Sequence, residues 1–243
     1  MGVYHITYTP ELKEICLYLD GGCNFSCYGC ITDWHPEDYH IKNLRQTKNK
    51  ILDIEGVISY LKPLRFKKVI FLGKEPTQDM NFLPLARILK EDFESYNVFL
   101  TNGYQFVEDM AIDEVCVSIK AISKELFKDF TGKENPERVL KNFRRYVNNS
   151  LLVRAESVFI PGYIDIDEIS KIAQFIAKVD STIPYRIDGY IPSSAYILEK
   201  KDRFRRPTED EMRKAKEVCE NYLNNVSILH YGVKVKYKVE RIY

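Results

Sequence analysis

The sequence lacks the features that mark membrane, secreted and nucleic-acid-binding proteins. It has no run of about 18 apolar residues, so no membrane-spanning helix is evident. Residues 1–10 contain no charged segment followed by an apolar one, so no secretory signal is evident. The formal net charge is only +1, and bulk electrostatics therefore give no support for a nucleic-acid or membrane partner.

Disulfide chemistry is also not indicated, although the chain has six cysteines among 243 residues. In a long chain without a signal, free thiols favour a reducing compartment, and we expect a cytoplasmic protein. No repeat and no Gly/Ser/Pro-rich linker divides the chain, and 45% of its residues are hydrophobic. These features predict a single domain over residues 1–243, with enough length to bury a core.

Three of the cysteines are concentrated in one short stretch, residues 20–34. Cys23, Cys27 and Cys30 have the spacing C-x3-C-x2-C and follow an apolar run. Thiolates grouped in this way bind soft metals, either zinc or an iron–sulfur cluster. Structural zinc needs four ligands, and no second C-x2-C pair exists, although His35 is a candidate fourth ligand. A 4Fe–4S cluster held by three cysteines instead leaves one iron open.

Apolar segments alternate along the chain with segments of helical periodicity. The predicted strands are 15–19, 68–72, 97–101, 114–119, 151–160 and 184–188. The predicted helices are 51–64, 82–93, 123–130, 136–147, 165–179 and 208–223. This alternation indicates parallel strands joined by right-handed crossovers. We predict an α/β fold, a partial (βα)6 TIM-like barrel with a C-terminal helix and one or two short strands within 226–237.

The cysteine motif, placed in the loop after the first predicted strand, resembles the signature of the radical S-adenosylmethionine (SAM) enzymes. The resemblance implies that Cys23, Cys27 and Cys30 hold a 4Fe–4S cluster whose open iron binds SAM. It implies reductive cleavage of SAM to a 5′-deoxyadenosyl radical that abstracts hydrogen from a substrate. The resemblance covers about residues 14–190 and leaves 191–243 as a variable extension.

The end of the second predicted strand, Gly73-Lys-Glu-Pro-Thr77, resembles the G-G-E-P segment of that family. The resemblance implies that Gly73, Lys74 and Glu75 contact the SAM ammonium group. Lys74 replaces a glycine, which is tolerable if the position acts through its backbone. The replacement weakens the match if the position needs a positive φ or a close approach. A plain turn between strand and helix is the alternative interpretation.

Later strand ends resemble the branch that activates glycyl-radical enzymes. Thr101 and Asn102 match its T-N-G segment, although Asn-Gly is also a common turn. Ser118-Ile-Lys120 stands where the branch often has D-x-K. The resemblance implies that Lys120 meets the SAM carboxylate, whereas Ser118 departs from the acidic residue. Arg154 occupies a strand similar to the arginine-bearing strand of the branch. A charged residue there is costly unless paired, so Arg154 is either a ligand contact or half of an ion pair.

Two further positions depart from the family pattern. The residue before the last cysteine is commonly aromatic and packs on adenine, but here it is Gly29, so Tyr28 is our candidate for that contact. The branch places a histidine after Tyr190, where this chain has Ile191, and Asp188 is a possible substitute. Cys16, Cys116 and Cys219 are interpreted as buried structural thiols.

These observations lead to one preferred function and two alternatives. The preferred function is a glycyl-radical activating enzyme, with a partner protein as substrate and a low-potential ferredoxin or flavodoxin as electron donor. The basic segment 200–206 is interpreted as solvated surface or as a site for that acidic donor. The alternatives are a radical SAM enzyme that acts on a small molecule or another peptide, and a non-catalytic zinc- or cluster-binding module.

Overall fold

A computed structural model describes residues 1–41, 49–149, 151–192, 203–231, 233 and 236–243. These residues contain one nine-stranded sheet. Its strands are β1 (Val3–Thr9), β2 (Glu14–Leu19), β3 (Lys68–Gly73), β4 (Tyr96–Thr101), β5 (Glu114–Ser118), β6 (Leu152–Phe159), β7 (Tyr185–Gly189), β8 (Val226–Leu229) and β9 (Glu240–Arg241). The helices are α1 (Ile31–Trp34), α2 (Ile54–Leu61), α3 (Phe82–Phe93), α4 (Lys124–Thr131), α5 (Pro136–Asn148), α6 (Ile166–Val179) and α7 (Glu209–Glu220).

The strand order is β8-β7-β6-β5-β4-β3-β2-β1-β9. Strands β2 to β8 pair in parallel with their neighbours, whereas β1 pairs antiparallel with both β2 and β9. The predicted α/β class and its six parallel strands are confirmed as β2 to β7. The C-terminal extension contributes β8 and β9 to the same sheet, and β1 was not predicted.

The helices cover one face of the sheet. Phe71 of β3 and Phe99 of β4 both pack against Phe82 of α3, with ring centroids 5.1 and 5.3 Å apart. Along β6, every second residue is buried on this helix side. The opposite face, called the inner face below, carries the alternate positions. Because paired residues of parallel strands point the same way, Arg154 of β6 shares the inner face with Cys116 of β5.

Helix ends follow their sequence signals. Thr208 and Glu211 form the predicted capping box at the start of α7. Asp53 caps α2 by accepting a hydrogen bond from Gly56 N at 2.8 Å. Within the described ranges, none of the helices has both the length and the apolar character that crossing a bilayer needs.

Candidate active site

The cysteine loop, residues 20–30, follows β2 and is anchored by the C-terminal end of α4. Ser26 N donates to Thr131 O at 2.9 Å, and Tyr28 N donates to Phe130 O at 3.2 Å. Phe25 is buried and packs edge-on against Phe127, with centroids 5.5 Å apart. The loop is therefore held to α4 by an apolar contact and by two backbone hydrogen bonds from residues that lie between its cysteines in sequence.

The three thiols of the loop lie in a shared electrostatic environment. Cys23 is exposed, whereas Cys27 and Cys30 are half-buried. Burial raises the pKa of Cys27 to about 11, the Lys120 ammonium opposes this, and Cys30 and Cys23 raise it further. The thiols are thus close enough to disfavour one another's ionisation. A bound cation would reverse this penalty, because metal ligation needs thiolates.

The three cysteine thiols are suitable ligands for an iron–sulfur cluster, although they are not yet arranged as a metal site. Among the described residues, no group of three or more His, Cys, Asp or Glu side chains is already arranged to hold a metal ion. The candidate zinc ligand His35 has its Nε2 atom 3.4 Å from Pro192 O, and its ring packs on Tyr39. His35 is thus engaged outside the thiol group. Cys23, Cys27 and Cys30 are the residues that would hold a cluster.

Lys120 connects the thiols to the inner face. Its Nζ atom donates to Ser118 Oγ at 2.7 Å. Burial lowers the pKa of Lys120, but Cys27 and then Glu156 raise it, and the net change is upward. Lys120 therefore stays a cation beside the cysteine loop. Among the described residues, no carboxylate lies within ion-pair distance of it.

The turn after β3 shows which of positions 73 and 74 requires glycine. Gly73 has φ +103°, and a Cβ built on it would lie 2.7 Å from both the N and O atoms of Leu19. Lys74 is not among the residues with positive φ. Its N–H donates to Leu19 O at 2.9 Å, and its side chain pairs with Asp33 of α1. The conformation therefore needs glycine at 73 and tolerates a side chain at 74.

Glu75 ties two strand ends to the cysteine loop. Its buried carboxylate accepts hydrogen bonds from Thr101 Oγ1 at 2.7 Å, Asn102 N at 2.8 Å and Thr77 Oγ1 at 2.8 Å. Asn102 Nδ2 then donates to Asn24 Oδ1 at 2.6 Å and reaches Cys23 Sγ at 3.7 Å. The predicted site residues Glu75, Thr101 and Asn102 thus meet in one network that orients the first cysteine.

Tyr28 lies among other aromatic side chains. Its ring packs edge-on against Trp34 and Phe204, with centroids 5.6 and 5.4 Å away. Its hydroxyl accepts a hydrogen bond from Arg203 N at 3.2 Å. The extension beyond residue 191 therefore contacts the cysteine loop.

The basic segment is satisfied mainly within the chain. Arg203 pairs with Asp129 at 2.9 Å, Arg205 pairs with Glu211 at 2.5 Å, and the Arg206 guanidinium lies 4.1 Å from the Tyr231 ring centroid. Residues 200–202 lie outside the described residues. The three described arginines of this segment thus already have partners within the chain.

Arg154 is half of an ion pair. Its Nε atom donates to Glu114 Oε1, and Tyr96 Oη donates to Glu114 Oε2 at 3.0 Å. Arg154 is the third residue of β6 and Glu114 the first of β5, so the pair lies toward the strand starts, away from the cysteine loop. Of the two alternatives for Arg154, the ion pair is formed in the structure.

Two charged residues of the inner face, Arg186 and Glu156, were not predicted as site residues from the sequence. Arg186 Nη2 pairs with Glu156 Oε2 at 2.7 Å, and Arg186 Nε pairs with Asp188 Oδ1 at 2.7 Å. Cys116 Sγ lies 3.5 Å from the same Glu156 oxygen. A signal was present in the sequence, because charges at alternate positions of two neighbouring strands face the same side.

Comparisons with known proteins place the chain in a family. The family model described as the Radical SAM superfamily matches residues 18–176. The chain belongs to this superfamily, and it is an enzyme of a family that uses SAM and an iron–sulfur cluster.

The particular relatives differ in their reactions. The Methanocaldococcus jannaschii protein named "Putative glycyl-radical enzyme activating enzyme MJ1632" is 30% identical over 93% of this chain and 84% of its own length. A GTP 3′,8-cyclase of Actinobacillus pleuropneumoniae is 29% identical over 51% of this chain and 37% of its own length. Streptococcus suis SuiB bound to S-adenosylmethionine shares the fold, with TM-score 0.63 and 15% identity over 91% of this chain and 48% of SuiB.

Proposed function

We propose that this enzyme activates a glycyl-radical protein by abstracting a hydrogen atom from a glycine of that partner. The observation that carries the proposal is the position of Cys23, Cys27 and Cys30 on one loop beside the Lys120 cation, in a chain of the radical SAM superfamily. The relative that matches over 93% of this chain supports the choice of substrate.

The three cysteines would hold a 4Fe–4S cluster. When bound, the cluster and SAM supply the reducing electron and the 5′-deoxyadenosyl radical that removes hydrogen from the substrate. The residues of this chain bind, orient and exclude water. Asn102 donates toward Cys23 Sγ, and hydrogen bonds to cluster sulfur are one means of setting the potential. An acidic low-potential ferredoxin or flavodoxin would supply the electron.

The SAM contacts are proposed from the same geometry. Lys120 lies close enough to the thiols for Cys27 and Cys30 to raise its pKa, and it would pair with the SAM carboxylate. The half-buried backbone at Gly73 and Lys74 would receive the ammonium group. Glu75 would act indirectly, because its carboxylate is already hydrogen-bonded. Thr101, Asn102 and Ser118 would hold Glu75 and Lys120 in place, and Tyr28 would flank the adenine.

A reducing cytoplasmic setting follows from the same chemistry. All six cysteines are free thiols, and an exposed Cys23 would be vulnerable to oxidation elsewhere. We therefore propose that the enzyme works in the cytoplasm under anaerobic conditions.

A small-molecule substrate is the second candidate. The match to GTP 3′,8-cyclase over half of the chain favours it. The polar inner face also favours it, since Arg186 and Asp188 are partly open to solvent at 38% and 28% side-chain exposure.

The test is SAM cleavage by anaerobically reconstituted enzyme with dithionite, followed by deuterium transfer. Wild type is expected to form 5′-deoxyadenosine, and a glycyl-loop peptide deuterated at the glycine Cα is expected to pass deuterium to it. Cys27→Ala is expected to abolish cleavage. The matched control Cys219→Ala, which changes a buried thiol of α7, is expected to retain it. Cleavage by Cys27→Ala would reject the ligand assignment, and transfer only from a small molecule would favour the second candidate.

A further inference from the structure

An open part of the inner face lies on β6 and β7. On β1, His5 and Thr7 point to the same face but are buried, at 0% and 1% exposure. Segment 35–41 packs over this part of the sheet, since the β2 residue Tyr18 donates from its hydroxyl to Asp38 at 2.8 Å. By contrast, Arg186 and Asp188 of β7 retain 38% and 28% side-chain exposure. A substrate that reaches this part of the inner face meets β6 and β7.

This open region contains an acidic pair bridged by one arginine. Arg186 Nη2 donates to Glu156 Oε2 at 2.7 Å and to Asp188 Oδ2 at 3.0 Å, and Arg186 Nε donates to Asp188 Oδ1 at 2.7 Å. One guanidinium thus neutralises one of two carboxylates. Among the described residues, Glu156 Oε1 accepts no hydrogen bond and is the open acceptor of the group.

Lys120 does not neutralise the remaining charge through an ion pair. Its ammonium lies close enough for Glu156 and Asp188 to raise its pKa, but it is within ion-pair distance of neither. Under the proposed function, on which this inference rests, Lys120 pairs with the SAM carboxylate. The group of two carboxylates and one guanidinium keeps its formal charge of −1. In a partly buried site that charge is weakly screened and selects among substrates by sign.

We propose that Glu156 and Asp188 determine substrate specificity by selecting a group that donates N–H hydrogen bonds, either cationic or amide, and by rejecting anions. The acceptor Glu156 Oε1 receives the N–H group, and Arg186 fixes both carboxylates in position. Backbone amides flanking a glycine satisfy this requirement. A nucleoside triphosphate does not, because its charge repels the acidic pair. The charge selection therefore favours a glycine flanked by amides over a nucleoside triphosphate.

The test uses three small probes of similar size that differ in charge. Glycinamide is mainly a cation at pH 7, since α-amino groups titrate near pH 8. N-acetylglycinamide is neutral, and N-acetylglycinate is an anion. Binding of each probe to the reconstituted full chain with SAM is measured by NMR line broadening, without reductant. The cation is expected to bind about tenfold more tightly than the anion, with the neutral amide between them.

Glu156→Gln and Asp188→Asn are each expected to reduce that tenfold preference to about twofold or less. Glu114→Gln is the matched control, because Glu114 is also an ion-paired glutamate of the inner face, but it lies at the start of β5. It is expected to keep the preference. Thermal melting identifies a variant that fails to fold. In that case the cation preference of the other acidic variant is the test.

Three results would overturn the inference: tightest binding of the anion, an unchanged preference in both acidic variants, or no binding of any probe. Failure of the proposed function can be distinguished from failure of this inference. If deoxyadenosine never forms but the cation preference persists and depends on Glu156 and Asp188, the charge selection stands and the glycyl-radical reaction does not.

Discussion

A Cβ atom at position 29 would lie 2.4 Å from the hydroxyl oxygen of Tyr190 and 2.8 Å from its Cε2 atom. Gly29 also has φ +67°, which favours glycine. The phenol of Tyr190 therefore occupies the space that a side chain before the last cysteine would need. Tyr190 in turn packs against Trp34, 6.3 Å away between centroids. Position 29 thus depends on a tyrosine 161 positions later in the chain.

Gly29→Ala is expected to lower the free energy of unfolding by about 2–4 kcal/mol, because backbone strain adds to the displacement of Tyr190. Gly162→Ala is the matched control, since Gly162 has φ +74° and nothing within 4 Å of a Cβ. It is expected to lose only about 1 kcal/mol. Urea denaturation of both variants measures the difference. Equal losses would show that contact with Tyr190 does not matter.

At the turn after β3, adjacent positions are expected to respond differently. Gly73→Ala is expected to lose about 3 kcal/mol or more, because its Cβ would meet the Leu19 backbone 2.7 Å away. Lys74→Ala removes only the pair with Asp33 and is expected to lose about 1 kcal/mol or less. Thermal unfolding of both variants tests this contrast. A larger loss for Lys74→Ala would mean that the lysine side chain, not the glycine conformation, organises the turn.

Glu75→Gln is expected to weaken both the fold and the first cluster ligand. A glutamine amide would turn its NH2 toward N–H and O–H donors that now serve the carboxylate, at a cost of about 2 kcal/mol. Asn102 would lose its anchor and with it the contact to Cys23. Unfolding free energy and iron retained after gel filtration are the measurements. Full retention of iron in a destabilised variant would limit Glu75 to a structural role.

The stabilisation by Glu168 is expected to depend on pH. Its carboxylate accepts hydrogen bonds from Ile122 N at 2.5 Å and Ser123 N at 2.7 Å, at the start of α4, the helix that anchors the cysteine loop. Burial raises the pKa of Glu168, but the hydrogen bonds from Ser123 and Ile122 outweigh it, so the net shift is downward. The stabilisation is therefore present above the ordinary glutamate pKa and is lost as pH falls through the folded-state value.

Glu168→Gln is expected to lose about 2 kcal/mol at pH 7, and the difference from wild type is expected to shrink below about pH 4.5. Glu220→Gln, in the exposed pair with Lys216, is the control and is expected to change stability by about 0.5 kcal/mol or less. Guanidinium unfolding at several pH values measures both variants. A pH-independent loss would mean that the shape of the side chain matters, not its charge.

The sequence predicted the elements that have a clear local pattern of apolar residues. The apolar run of β2 and the alternation of β6 indicate strands without further information. The first strand was missed because Val3–Thr9 mixes aromatic, β-branched and polar residues, and its inner-face His5 and Thr7 are buried only by segments distant in the chain.

The site was predicted in part for the same reason. The cysteine motif is local and could be read directly. The meeting of Glu75 with Asn102 and of Arg186 with Glu156 depends on register between strands, which no local pattern specifies. Only the alternation of charges hinted at the inner-face network.

The most direct test of the central claim is metal analysis combined with EPR spectroscopy of the anaerobically reconstituted, dithionite-reduced enzyme before and after SAM is added. We predict about four iron and four sulfide per chain. We also predict an EPR signal that changes on SAM addition, with both features lost in Cys27→Ala and kept in Cys219→Ala. Stoichiometric zinc in place of iron, or a signal that SAM leaves unchanged, would contradict it.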